Sequence, residues 1–225
     1  TSGAKSDPGD SYKLADYLRT DGHRLRRLEP VEPGLRELQA LVRLRDDQVR
    51  TRTATINQLT ATLDVHWPGP RDLFRSLASP IALAFLRRYP SPSTAKRLTQ
   101  AQLQRFCKAQ HYSGRRSAAE LLDRLRAAAI GHVGSQTEKA LAEVVCAQVA
   151  VLVPIVNQIA ALTRRIEQFM HSLPDGLLMM SFPRAGQVCA AQILAELGDV
   201  RERFPSANQL AAEAGTVPVT YQSGK

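Results

Sequence analysis

Apolar residues recur at steps of three and four along two long segments of the chain, and this periodicity constrains the fold most. The first segment runs from about Leu35 to His66 and the second from about Ser135 to His171. Each places its apolar residues on one face of a helix. No segment shows the strict alternation that is typical of a half-buried strand. The sequence therefore predicts a mainly α fold with two long, coiled-coil-like helical arms, which pair with each other or with another subunit.

Prolines and glycines mark the ends of these arms. Residues 67–70, Trp-Pro-Gly-Pro, end the first arm, and residues 173–176, Leu-Pro-Asp-Gly, end the second. Between them, residues 71–129 are predicted to form several short helices. Pro154 is predicted to kink the second arm.

Shorter elements are predicted near the two ends of the chain. A first helix is expected over about Asp10–Leu18. Residues 182–186, Phe-Pro-Arg-Ala-Gly, are expected to form a hairpin that leads into a helix over Gln187–Leu197, with Gly198 as its C-cap. The part after the second arm is therefore predicted to be a small helical domain with a helix–hairpin–helix element.

This hairpin is a candidate phosphate site. In a helix–hairpin–helix element, the free N–H groups and the dipole of the second helix can hold a DNA phosphate. Arg184, Gly186 and Gln187 are then the candidate DNA contacts. The alternative is an ordinary corner between two helices that binds nothing.

The net charge of +9 is unevenly distributed. Residues 1–130 hold 23 Lys/Arg and 13 Asp/Glu, whereas residues 131–225 hold 7 and 8. This asymmetry favours a polyanion partner, although a basic face also serves solubility alone. The densest basic segment, Lys96–Arg126, carries eight Lys/Arg and two acids, and its exposed corner supplies Arg115 and Arg116 as candidate DNA contacts.

The cysteines and histidines predict neither a disulfide framework nor a zinc site. The three cysteines lie far apart without a C-x-x-C motif, and the five histidines are scattered. The first residues do not have the pattern of a signal peptide. The most apolar segment, Val144–Val156, is shorter than a membrane span requires. We therefore expect a cytoplasmic protein without a membrane partner.

Two carboxylates near the start of the chain are candidate metal ligands. Asp7 and Asp10 are three residues apart, so at a helix start they share a face and can hold Mg²⁺ for phosphoryl transfer. The alternative is helix capping, with Asp7 as N-cap, Pro8 at the first helical position and Asp10 completing a capping box.

A serine close to the last residue is a candidate nucleophile. Ser223 precedes Gly224, so its hydroxyl can approach a phosphodiester and attack the phosphorus. Lys225 can then neutralise charge on the phosphate and is a further candidate DNA contact. The alternative is that Ser223 belongs to an ordinary solvated turn.

Several runs of sequence resemble the DEDD-type, RuvC-like insertion-sequence transposases that a bridge RNA guides. They are F-P-R-A-G-Q-V-C-A-A-Q-I-L-A-E-L-G-D, R-F-P-S-A-N-Q-L-A-A-E-A-G and V-P-V-T-Y-Q-S-G-K near the end, and K-S-D-P-G-D-S-Y-K-L-A-D-Y-L near the start. The family favours P-G-I-G at the hairpin, where this chain has Arg184 and Ala185 in place of the Gly and the Ile. Ser11 stands where the family usually has Ala.

The resemblance implies an enzyme that binds DNA and a structured guide RNA, forms a dimer or tetramer of identical chains, and cuts and rejoins strands. Ser223 is then the nucleophile. Asp7 and Asp10 are the third and fourth acids of a Mg²⁺ site. The implied domains are a RuvC-like remnant at 1–30, the helical arm and basic region at 31–172, and the transposase C-terminal domain at 173–225.

The resemblance also implies that the first two acids lie upstream of Thr1. On this basis the chain is expected to be an internal piece of a longer transposase, or a truncated copy that binds nucleic acid but cuts poorly. The expected location is the bacterial cytoplasm, associated with the nucleoid. The alternative function is a non-catalytic helical protein that binds nucleic acid or has a regulatory role.

Overall fold

The computed structural model describes residues 7–25, 30–199 and 201–217, and within these ranges it has no β-strand. The prediction of a mainly α fold is confirmed. In chain order the α-helices are α1 (Asp7–Asp21), α2 (Pro33–His66), α3 (Pro80–Arg88), α4 (Pro92–Ala95), α5 (Gln100–Ala109), α6 (Ala118–Ala127), α7 (Ser135–Ser172), α8 (Gly176–Met180), α9 (Gln187–Leu197) and α10 (Ala207–Glu213). Short 3-10 turns lie at Gly22–Arg24, Gly69–Asp72 and Arg201–Arg203.

The chain divides into two compact units. One consists of residues 1–35 and 197–225, and the other of residues 36–196. This division follows contacts within the fold. The functional domains at 1–30, 31–172 and 173–225 remain a prediction.

The two long helices α2 and α7 pair with each other inside the larger unit. The Nε of Arg45 donates to Oγ1 of Thr163 at 2.9 Å, and the amide of Gln148 donates to Oγ1 of Thr62 at 3.2 Å. Along these bonded pairs the residue number rises in α2 and falls in α7, so the two helices are antiparallel. The sequence left open whether the arms pair within one chain or between chains, and in this fold they pair within one chain.

Residues between the two arms form a helical cap whose core is continuous with the arms. Here α3 packs against α7, and α5 packs against α6. Aromatic rings fill the centre: Phe85 contacts Trp67, Phe74 and Phe106 with centroid separations of 6.2, 5.9 and 5.9 Å. The short helices of the cap start at hydroxyl residues that accept a hydrogen bond from an amide three residues later, which are Ser79, Ser91, Thr99 and Ser117.

Helix α7 corrects one sequence-based expectation. By length and composition it reaches what a membrane span needs, whereas we expected the apolar segment to be too short. Its apolar face lies in the core of the larger unit, where Val145, Val149 and Leu152 are fully buried. The core accounts for part of the apolar character of α7, because 28% of the apolar window is buried while Val144 and Val151 are exposed.

Helix α9 packs along α2 in the same unit. The amide of Gln39 donates to the carbonyl of Ala195 at 2.8 Å, and the amide of Gln192 donates to Asp46 at 2.8 Å. Along these bonded pairs the residue number rises in α2 and falls in α9, so these two helices are also antiparallel. The start of α9 therefore points toward the end of α2 from which the cap continues.

In the smaller unit, helix α1 is largely exposed, with Gly9, Asp10, Asp16 and Asp21 half-buried. None of its residues is buried, and the exposed fraction of Leu14 is 70%. The backbone amide of Glu32 donates to Asp199 at 2.8 Å, which ties the two chain segments of this unit together. Ser206 caps the start of α10.

Candidate nucleic-acid interface

The predicted hairpin is a tight turn with a strained arginine. The amide of Ala185 donates to the carbonyl of Phe182 at 3.1 Å, and Pro183 is the second residue of the turn. Arg184, the third residue, has a φ of +65°. A proline second and a positive φ third are the pattern of a type II turn, which favours glycine at the third position. The glycine that the resembled family has here therefore has a physical reason.

The start of α9 leaves backbone donors available directly after this turn. The first helical bond runs from the amide of Ala190 to the carbonyl of Gly186 at 2.9 Å, so Gly186 is the N-cap. Among the residues the structure describes, none accepts a hydrogen bond from the amides of Gln187, Val188 or Cys189. A free helix start of this kind carries partial positive charge and attracts anions.

The space in front of these amides is open. A Cβ placed on Gly186 would meet nothing within 4 Å, and Gln187 is exposed. The side chain of Arg184 is also exposed and has no ion-pair partner in the described ranges. A basic side chain and free amides therefore lie within four residues of each other, which is a chemistry suited to a phosphate group.

The two arginines of the second predicted basic site, Arg115 and Arg116, have different roles in the fold. Arg116 donates to the backbone carbonyls of Leu73 and Asp72 at 3.3 and 3.5 Å, so its guanidinium helps to hold the cap. Arg115 is exposed. Of the pair, Arg115 is the one whose charge is not engaged with the fold among the described residues.

The backbone that presents this corner is well defined. Helix α5 ends with bonds from the amide of His111 to the carbonyl of Lys108 and from the amide of Tyr112 to the carbonyl of Cys107, at 3.2 and 2.9 Å. His111 has a φ of +49°. These two bonds and the positive φ are those of a Schellman motif. The corner is thus fixed by a helix end.

The start of α6 places a carboxylate with a lowered pKa next to this corner. The Ser117 amide, followed by its hydroxyl, donates to the carboxylate of Glu120 and holds the pKa of Glu120 below its usual value, and the charge of Arg116 acts in the same direction. Glu120 therefore stays ionised as part of a capping box, bonded to the Ser117 amide at 2.6 Å.

The acid pair lies in the first turn of α1, in the smaller unit. The prediction that Asp7 is the N-cap is corrected, because α1 begins at Asp7 itself and both acids are helical. Helix formation extends that far because Pro8 is tolerated in a first turn and acids there complement the helix dipole. The ammonium of Lys13 is 4.0 Å from Asp10.

These two carboxylates fit part of a magnesium site. Mg²⁺ is commonly held by one or two carboxylates together with phosphate oxygens and waters. Within the described ranges, no cluster of three or more His, Cys, Asp or Glu side chains is available for a metal ion. Asp7 and Asp10 can therefore contribute two ligands and need oxygens from elsewhere.

Two predicted site residues, Ser223 and Lys225, lie outside the described residues. Asp7 and Asp10 belong to the unit of residues 1–35 and 197–225. The hairpin and the Arg115–Arg116 corner belong to the unit of residues 36–196. Within that larger unit the structure places the hairpin and the corner on separate elements, α9 and the loop before α6.

Sequence analysis did not single out a groove between α3 and α5. It has a volume of about 710 Å³ and is lined by arginines and glutamines, which are Arg87, Arg88, Arg105, Gln102 and Gln110. One signal in the sequence could have found it. Residues 73–119 contain nine Lys/Arg and no Asp or Glu, and the predicted basic segment, Lys96–Arg126, overlaps only part of this stretch.

Comparison with known proteins identifies both ends of the chain. Residues 1–68 match a family model described as Transposase, of the DEDD type of IS110. Residues 177–225 match a model described as Transposase IS116/IS110/IS902 family. No solved structure matches the chain.

Curated relatives match over almost the whole chain. It is 34% identical to "Mini-circle putative transposase for IS117" of Streptomyces coelicolor, over 98% of this chain and 55% of that protein. It is 29% identical to "Insertion element IS110 uncharacterized 43.6 kDa protein" of the same species, over 98% and 54%. It is 25% identical to "Insertion element IS900 uncharacterized 42 kDa protein" of Mycobacterium paratuberculosis, over 98% and 55%.

The chain spans about half the length of these relatives. Its two matched segments contain the acid pair at one end and the hairpin with Ser223 at the other. Two segments of the chain therefore match models of IS110/IS116 transposases, and the chain is similar over nearly its whole length to the IS117 protein.

Proposed function

We propose that this chain acts in the transposition of an insertion sequence and grips DNA through the hairpin at residues 182–186. The observation that carries the proposal is the free start of α9 beside Arg184, inside the segment that matches a transposase model. A DNA phosphate accepts hydrogen bonds from the amides of Gln187 and its neighbours, and the guanidinium of Arg184 adds charge. Such contacts fix the position of the duplex and do not read its sequence.

Strand cleavage is assigned to Ser223. Its Oγ loses its proton and forms a bond to phosphorus, the bond from phosphorus to the leaving-strand oxygen breaks, and that oxygen takes up the proton. The chain then holds one DNA end as a phosphodiester, and attack by a strand hydroxyl on the same phosphorus releases the serine. Lys225 and the other basic residues offset charge on the phosphate.

Asp7 and Asp10 are the proposed ligands of Mg²⁺ in this reaction. Bound Mg²⁺ supplies positive charge that stabilises the phosphate oxygens during transfer. The two acids share one turn of α1, and the exposure of that turn leaves room for further ligands. The exposed position of the pair supports a shared site more than a complete one.

The remaining partners follow the family resemblance. We propose a structured guide RNA and assembly of identical chains as a dimer or tetramer, in the bacterial cytoplasm and at the nucleoid. The excess of basic residues over acidic ones in residues 1–130 supports a polyanion partner. The intrachain pairing of α2 with α7 leaves any assembly between chains to other surfaces.

A second candidate function is a non-catalytic protein that binds nucleic acid or regulates transposition. The observation that favours it is that the described residues hold no cluster of three or more side chains suited to a metal ion, so Asp7 and Asp10 have no third ligand beside them there. The hairpin and the basic groove suffice for binding alone.

Substitution of Ser223 separates these two functions. We expect Ser223→Ala to abolish a covalent adduct between the chain and DNA while leaving DNA binding within about twofold of the unchanged protein, because only the nucleophile is lost. The measurement is denaturing gel electrophoresis after incubation with Mg²⁺ and labelled DNA carrying the flanks of the chain's own gene.

Ser181→Ala is the matched control, because Ser181 is also a serine in the matched C-terminal segment and its hydroxyl is bonded to the carbonyl of Leu178 at 2.7 Å. This control should form adduct like the unchanged chain. Equal adduct from Ser223→Ala would overturn the assignment of the nucleophile. Tight DNA binding without adduct from the unchanged chain would favour the non-catalytic function.

A further inference from the structure

We propose that the groove between α3 and α5 is a second binding site for the phosphodiester backbone of a nucleic acid. It is lined by Arg87 and Arg88 on α3 and by Arg105 on α5. This inference rests on the proposed nucleic-acid function and adds a contact surface that is separate from the hairpin. The shared chemistry of its ligand is a chain of phosphates, as found in both DNA and RNA.

The first support is a local charge that nothing nearby neutralises. Residues 73–119 contain nine Lys/Arg and no acid, and no acidic side chain lines the groove. In the described ranges, Arg87, Arg88 and Arg105 form no ion pair. An uncompensated cluster of this kind raises the local concentration of polyanions.

Basic residues elsewhere in the chain behave differently. On α1, Arg19 pairs with Asp16 at 2.7 Å, and on α2, Arg50 pairs with Asp47 at 3.7 Å. Those pairs at a spacing of three are typical of a solvated helix face. The groove lacks them, so it does not follow the pattern by which the chain solubilises its other helices.

The second support is that the guanidinium groups keep their hydrogen-bond donors free. No hydrogen bond from Arg87 occurs among the described residues, and Arg88 lies over the ring of Tyr89 at 5.4 Å from its centroid. Arg105 donates only through Nε, to the carbonyl of Ala101 at 3.4 Å. The terminal nitrogens, which bind phosphate in a fork, are thus available on all three.

The third support is a rigid base beneath the charges. Phe85 of α3 and Phe106 of α5 meet edge to face at 5.9 Å, and both are buried. Ser79 caps the start of α3 and Thr99 that of α5. The spacing of the arginines is therefore set before a ligand arrives, which lowers the entropic cost of binding.

The shape of the groove also selects its ligand. It is an open cleft with arginine and glutamine donors on its walls, and the ring of Phe106 is 5% exposed. An aromatic ring that is buried in the core offers no face on which a base can stack. The groove therefore fits a backbone of phosphates better than a single flipped base or a small apolar ligand.

The test removes the three charges together. The variant Arg87→Gln/Arg88→Gln/Arg105→Gln removes three charges and leaves a shorter, neutral side chain with an amide donor at each position. We expect it to bind nucleic acid about tenfold to a hundredfold more weakly near 0.1 M salt. Each phosphate contact releases about one counterion when the complex forms. Loss of the three contacts should therefore lower the magnitude of the slope of log affinity against log salt by about two to three.

The matched control is Arg36→Gln/Arg43→Gln/Arg50→Gln on α2. It makes the same change in net charge at exposed positions of the same unit. We expect its affinity to remain within about threefold of the unchanged chain. Thermal unfolding of both variants checks that the fold is intact, and the substituted side chains are all exposed.

Three fluorescent probes identify the ligand by anisotropy: duplex DNA, an RNA hairpin and polyglutamate. The probe whose affinity falls more in the groove variant, duplex DNA or the RNA hairpin, is the nucleic acid that binds in the groove. If the groove variant loses as much affinity for polyglutamate as for the nucleic acids, the proposal is overturned, because the groove would then bind anions in general. Equal losses in the groove variant and in the α2 control would overturn it as well.

The outcomes also separate this inference from the proposed function. If the unchanged chain binds neither duplex DNA nor RNA at low salt, the proposed function and this inference both fail. If the unchanged chain binds one of them, and the groove variant matches the α2 control, the proposed function stands and the groove proposal alone is wrong.

Discussion

Arg184 is the residue whose geometry says most about this chain. Its φ of +65° lies in the left-handed region, and a side chain there costs about 1–2 kcal/mol relative to glycine. The resemblance implies glycine at this position, but no sequence pattern gives a backbone angle. The structure supplies the reason, because a type II turn needs a positive φ at its third residue.

Arg184→Gly should therefore stabilise the fold. We expect a gain of about 0.5–1 kcal/mol in the free energy of unfolding, because relief of strain exceeds the added freedom of glycine in the unfolded chain. The measurement is the midpoint of urea unfolding. DNA affinity should fall in the same variant, since a charge beside the phosphate site is lost.

Ala185→Gly is the control at the next position, whose φ is not positive. It should lower stability by about 0.5–1 kcal/mol, because glycine there only adds freedom to the unfolded chain. A loss of stability in Arg184→Gly as large as that in Ala185→Gly would show that the turn does not strain Arg184.

Glu138 is a second residue with a specific role. Its carboxylate accepts from the amide of Ser93 at 2.9 Å, which ties α7 to the start of α4. This bond, followed by that of the Ser93 hydroxyl, lowers the pKa of Glu138, and burial opposes the shift. A lowered pKa in the folded state means that the bond stabilises the fold above the unfolded value near 4.5 and that this contribution is lost as pH falls through the folded pKa.

Glu138→Gln should lower stability by about 1 kcal/mol at pH 7, as expected for a charge-assisted bond at a partly exposed site. The difference from the unchanged chain should shrink as the pH falls below about 4.5. Thermal melts over a pH series measure it. Glu143→Gln, an exposed change on the same helix, should show no such dependence; a matching pH dependence in both variants would contradict the role of the Ser93 bond.

At the scale of elements, the sequence predicted the long helices well. Their apolar periodicity placed α2 and α7 within two residues of their observed ends, and the helix from Gln187 to Leu197 was predicted as observed. Both helices end just before the proline- and glycine-containing segments at residues 67–70 and 173–176, as expected. Periodicity works here because each arm carries an apolar face that contributes buried residues to the core.

Other elements could not be read as well from the sequence. Helix α1 is six residues longer than predicted, because it buries no face and so leaves no periodic signal at its ends. The pairing of α2 with α7 depends on contacts more than 80 residues apart in the chain, which periodicity does not encode. The predicted basic segment, Lys96–Arg126, did not include the whole groove, because Arg87 and Arg88 precede that segment.

For the whole molecule, the proposed sites are distributed between two units. The hairpin and the α3–α5 groove belong to the unit of residues 36–196, and the acid pair belongs to the other. Within the larger unit, α9 runs against the direction of α2, so the hairpin faces the end of the arm that carries the cap.

The central claim is that free backbone amides at the start of α9 hold a DNA phosphate. Gln187→Pro deletes one of those amides while proline is tolerated at the first position of a helix, and Gln187→Ala keeps the amide and removes only the side chain. The decisive measurement is duplex DNA affinity, by anisotropy, of these two variants at equal salt. We predict binding about tenfold to a hundredfold weaker for Gln187→Pro than for Gln187→Ala, as expected for one charge-assisted bond. Equal affinities with equal thermal stability would contradict the claim.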